Sequence, residues 1–143
     1  MPWQDDASIS PNEILWRRVL ADDPAHVKVD PVTGEWRPNS GAFRSTTEIV
    51  SVAIASLTTI EKYLAAYPRH SLVGITAGAV REALCMIVRD RIEDEGEEHV
   101  HIVGVRDDGF LTGSETKRLS RKAEFVFCTL VPRPRSSQES SRG

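Results

Sequence analysis

The sequence predicts a single α+β domain, a mixed or antiparallel sheet with about two helices packed on one face, ending in a disordered tail. Three observations point there. A chain of 143 residues is the usual size of one domain and can bury a real core. Short runs rich in β-branched residues recur between turn-forming residues. Two capping boxes, beginning at Thr58 and Thr112, each open a helix by letting a glutamate reach back to the cap N–H.

Residues 1–12 read as a flexible N-terminal arm, 13–131 as the domain and 132–143 as the tail. In the arm, Pro2, Pro11 and the polar residues between them set no regular period. Asn12 and Glu13 can cap a helix through Leu20 whose face carries Leu15 and Val19, and that reading is preferred to a strand over 14–19. Asp30-Pro-Val-Thr-Gly34 then predicts a tight turn between 27–29 and Glu35-Trp36-Arg37, because proline presets the backbone and glycine accepts positive φ.

Residues 37–47 form a loop by composition, with Phe43 as its anchor to the core. A buried strand is expected over 48–55, and a helix from Thr58 with Ile60, Leu64, Tyr67 and Tyr63 on its apolar side until Pro68 stops it. Gly74 and Gly78 argue against a helix over 72–80, since each costs about 1 kcal/mol relative to Ala. A strand pair, 72–80 and 84–91 with a turn near 81–84, is preferred to a strand followed by a helix. Acidic residues crowd 93–98 and read as a solvated loop. The strand 99–105, a turn at 106–109, the helix from Thr112 to Ala123 and a last strand 125–131 complete the domain.

Composition narrows the function classes. A net charge of −3 gives no support for nucleic acid as a partner, which asks for a strongly basic balance. No apolar run approaches the ~18–20 residues of a membrane helix, and the acidic N-terminus lacks a signal peptide's apolar stretch. Cys85 and Cys128, far apart in the chain, fit free thiols in a cytoplasmic protein better than a disulfide framework.

The sharpest chemical feature is His99-Val-His101. Residues two apart on a strand face the same way, so both imidazoles project together and can share proton transfer on one substrate. A metal would need a third ligand, so no metal and no cofactor is assigned. Arg37, Ser40 and Arg44 are candidate ligand-binding residues, because guanidinium and hydroxyl donors suit a phosphate. Arg81 with His99 and His101 forms the candidate catalytic set. Cys85 sits in an apolar run and reads as a packing residue rather than a nucleophile. The basic group Lys117, Arg118, Arg121 and Lys122 reads as a solvated helix face.

Two resemblances to known families rest on short motifs. The alternation from His99 to Val103 resembles the histidine-triad nucleotide hydrolases, but Val103 stands where that family's catalytic histidine belongs. Arg17 or Arg18, Ser45-Thr-Thr47 and Glu95-Gly-Glu97 resemble, in chain order, the ADP-ribosyltransferases of the Arg, Ser-Thr-Ser, Glu-x-Glu type, which implies NAD binding.

The sequence therefore predicts a small binding or accessory domain that recognises a partner protein or a phosphate-bearing, nucleotide-like ligand. The alternative is a hydrolase or transferase on phosphate substrates, using His99 and His101 with Arg37 and Arg81.

Overall fold

The first strand, β1 (Ile14–Val19), forms where a helix is expected, and it sits near the centre of the main sheet. Leu15 and Val19 are four apart, a spacing that shares one face in a helix and in a strand alike. Pairing decides between them. β1 hydrogen-bonds to β4 (Ser51–Ile54) on one side and to β5 (Ser71–Thr76) on the other, both antiparallel.

A computed structural model describes residues 3–45, 48–89 and 96–128. In it the chain is one α+β domain. Its six-stranded sheet has the order β6-β7-β4-β1-β5-β8, with β6 (Met86–Arg89), β7 (His99–Val103) and β8 (Glu124–Phe127). Every neighbouring pair is antiparallel. β2 (Val27–Val29) and β3 (Trp36–Pro38) make a separate hairpin around the expected turn, where the Asp30 carboxylate accepts from the N–H groups of Val32 and Thr33.

One face of the sheet is dry. Leu15, Val52, Val73, Val100 and Ile102 join Val80 of α2 (Ala77–Glu82), Leu119 of α3 (Gly113–Lys122) and Phe43 of a 3-10 turn (Ser40–Phe43) in the core. Phe43 is fully buried, as an anchor should be. α3 begins at its expected capping box. Thr112 accepts from the Glu115 N–H, and the Glu115 carboxylate accepts from the N–H groups of Thr112 (2.7 Å) and Val105 (2.8 Å). Arg118 donates to the Ala83 carbonyl at 2.8 Å and Lys122 meets Glu82 at 3.5 Å, so part of the basic cluster ties α3 to α2.

α2 corrects the expected strand over 72–80. Thr76 caps it by accepting from the Ala79 N–H, and Leu84 at φ 66° ends it. Gly78 is a helix residue here, and close approach explains it. A Cβ would lie 3.2 Å from the Pro11 carbonyl oxygen, which accepts from the Gly78 N–H at 2.9 Å. The helix expected from Thr58 is the short α1 (Ile60–Leu64), capped by Thr59 rather than Thr58. It crosses the other face of the sheet.

Residues 3–12, read as a loose arm, run beside the outer edge of β6. Asp6 N–H donates to the Ile87 carbonyl, and the Asp5 carboxylate accepts from the Ile87 N–H at 2.9 Å. Those bonds occupy backbone groups that an edge strand would otherwise leave open. Ile9 is buried in the core, and the Trp3 indole donates to the Asp107 carbonyl. The expected tail 132–143 and the end of the last strand, 129–131, lie outside the described residues. Among the described residues no helix is long and apolar enough to cross a membrane.

Candidate functional site

Alternation along the strands builds the second face. Because Val100 and Ile102 enter the core, His99 and His101 point the opposite way. Their rings meet edge to face with centroids 5.0 Å apart. Across the ladder His101 stands opposite Ser51 and Val88, and His99 opposite Ala53. On β1 the same parity brings out Trp16 and Arg18.

Arg18 is held on several sides. Its guanidinium carbon lies 3.8 Å from the centre of the Tyr67 ring and 4.3 Å from that of Tyr63, and Nη1 donates to the Tyr63 carbonyl at 3.0 Å. Tyr63 is fixed in turn, its hydroxyl donating to the Trp16 carbonyl at 3.1 Å. Burial pushes the Tyr63 phenol above its ordinary value, with Arg18 pulling the other way, so the group stays a neutral donor.

Beside this stack lies an open depression of about 410 Å³, walled by Arg18, Thr58, Lys62, Tyr63, Glu98 and His99 and floored by Ala53 and Leu57. The anchored Arg18, the exposed Lys62 and a hydroxyl line it together with one acidic residue, Glu98. The arrangement suits an anion held by several donors.

The expected residues separate into two groups. His99 and His101 do come together. Arg81 stands on α2, across the sheet, with Nε 3.2 Å from an Asp5 carboxylate oxygen and Nη2 donating to the Asp6 carbonyl. Arg37 donates to the Arg121 carbonyl in the last turn of α3 at 3.5 Å, a helix-end contact. Ser40 opens the 3-10 turn behind the Asn39 cap, on the core side. Exposed Arg44 borders a different depression, shared with Ser45, Arg106 and Asp108, where Arg106 and Asp108 already pair.

Arg17, the neighbour of Arg18, faces the core. Its Nε donates to the Ala42 carbonyl and Nη1 to the Ser51 carbonyl, each at 3.0 Å, and burial lowers its pKa from the ordinary value. Thr46, Thr47 and Glu95, which complete the transferase-like pattern, lie outside the described residues, as do Glu93 and Asp94 of the acidic run. Among the described residues no group of three or more His, Cys, Asp or Glu is arranged to hold a metal ion. The Cys85 thiol is pushed up to about 12, first by burial and then by the nearby Glu115 carboxylate, which removes it as a nucleophile at neutral pH.

Sequence reasoning missed Lys62 and Thr58, and it placed Tyr63 and Tyr67 against the core. The missing signal was the period of β1. Read as a strand, Ile14–Val19 sets Arg18 on the face away from Leu15 and Val19. No family model matches the chain, and no curated protein or solved structure matches it.

Proposed function

We propose that this domain is a binding or accessory module for a phosphate-bearing, nucleotide-like ligand, seated in the depression beside His99. The observation that carries the reading is Arg18, a guanidinium immobilised between two tyrosine rings at the wall of a pocket that also carries Lys62 and Thr58. A donor fixed before binding loses less entropy when the ligand arrives. One of its five N–H donors goes to Tyr63, and the planar fork matches phosphate oxygens. Two free thiols favour a reducing, cytoplasmic setting.

Calorimetric titration with adenosine 5′-monophosphate tests the reading. Saturable binding by the wild type, weakened about tenfold or more in Lys62→Gln with an unchanged melting curve, and weakened likewise in Arg18→Lys at temperatures where that variant is folded, is the expected result. Absence of binding to any phosphate compound, with a protein partner co-purifying instead, overturns it.

A second reading, a hydrolase or transferase, draws support from the edge-to-face contact of His99 and His101, through which one ring can orient the other during proton transfer. Here His101→Ala abolishes turnover of a phosphate ester without changing the melting curve. Unchanged turnover in that variant removes the histidine from any mechanism.

A further inference from the structure

The depression contains a group that a bare anion would avoid. Glu98 lines it together with Arg18 and Lys62. Its backbone carbonyl accepts from the Ile54 N–H at 2.8 Å, which clamps the residue to the end of β4. Its carboxylate lies against the bare Cα of Gly96, a left-handed residue at φ 81°, in space that a Cβ would fill. Among the described residues no cation pairs with that carboxylate. Glu98 is the acidic residue among the lining residues of a pocket whose charged walls are otherwise Arg18 and Lys62.

Resting on the reading above, we infer that Glu98 is the specificity-determining residue of the site, and that the ligand is a phosphate ester whose organic part carries free hydroxyl groups. Arg18, Lys62 and Thr58 take the phosphate, and the Glu98 carboxylate accepts from the hydroxyls. Inorganic phosphate, by contrast, brings negative charge towards Glu98 and offers it no donor in return. A phosphorylated sugar and a nucleotide share the required chemistry. The volume of about 410 Å³ is within the ordinary range for a small-molecule site.

The test compares ribose 5-phosphate, adenosine 5′-monophosphate, butyl phosphate and inorganic phosphate on the wild-type chain and on Glu98→Gln, by calorimetry, with melting curves as a control. Expected is binding of ribose 5-phosphate about tenfold or more tighter than either butyl phosphate or inorganic phosphate, a hydrogen bond to a charged acceptor being worth at least that factor. In Glu98→Gln the sugar phosphate weakens, inorganic phosphate tightens, and the gap narrows. Equal affinity of the wild type for ribose 5-phosphate and butyl phosphate overturns the role of Glu98 while leaving phosphate recognition in place, and needs no variant at all. If none of the four compounds binds, the underlying reading fails as well. Tighter binding of the nucleotide than of ribose 5-phosphate assigns the base a share of the contact and supports the hydroxyl requirement, provided butyl phosphate remains weak.

Discussion

The two faces of the six-stranded sheet are made by the same strands and do opposite work. Towards α2, α3 and the 3-10 turn, β7 contributes Val100 and Ile102, and the charged groups that enter are satisfied by backbone partners, Glu115 by two N–H groups and Arg17 by two carbonyls. Towards α1 the same strand contributes His99 and His101, and Arg18 meets aromatic rings beside an open depression. A five-residue helix is too small to cover that face. The ligand site proposed above is the part it leaves uncovered, and the dry face is the scaffold beneath it.

That contrast breaks most visibly in the core. Phe43→Ala empties a fully buried site and is expected to cost about 3–5 kcal/mol in urea unfolding, with phosphate affinity unchanged at temperatures where the variant is folded. Glu115→Ala comes next. It strands the Val105 and Thr112 N–H groups at 1% exposure of the glutamate, for roughly 1–3 kcal/mol by the same measurement. On the other face Lys62→Gln should move stability by less than about 0.5 kcal/mol, while it lowers phosphate affinity.

Acid should act through histidine. Burial is the first cause holding His26 and His70 below their ordinary 6.5. His26 Nδ1 accepts from the Leu20 N–H, a bond that protonation destroys, and His70 is pressed further down by the charge of Arg18. The unfolded chain therefore binds more protons than the folded one below about pH 6.5, so stability is full above that pH and falls as pH drops. Urea midpoints at pH 7 and pH 5 should differ less in His70→Gln than in the wild type. An equal difference removes His70 from the effect. The smallest expected signal is chemical. Iodoacetamide at pH 8 should label half-exposed Cys128 and leave Cys85, buried and pushed up to about 12, unmodified until the domain unfolds.

What was legible in the sequence was local. Asp30 to Gly34 announces its hairpin, and Thr112 with Glu115 announces α3, because each signal lies within five residues. β1 was misread since its i, i+4 pair satisfies two periods, and only the non-local partners β4 and β5 choose between them. α2 was lost because six residues between two strands carry little periodicity, and Gly78 marks contact with Pro11 rather than a strand. The site inherits both difficulties. His99 and His101 were visible as a pair on one strand face. Arg18, Thr58 and Lys62 join His99 only after β1 pairs with β4, β4 with β7, and α1 crosses above.

The central claim is that ligand recognition belongs to the face opposite the core. Amide chemical-shift mapping of the ¹⁵N-labelled chain during titration with adenosine 5′-monophosphate tests it most directly. The account predicts saturable shifts at Arg18, Thr58, Lys62, Glu98 and His99, with Arg37, Ser40 and Arg81 unmoved. Shifts centred on Arg37, Ser40 and Arg81 instead, with the depression silent, would contradict it.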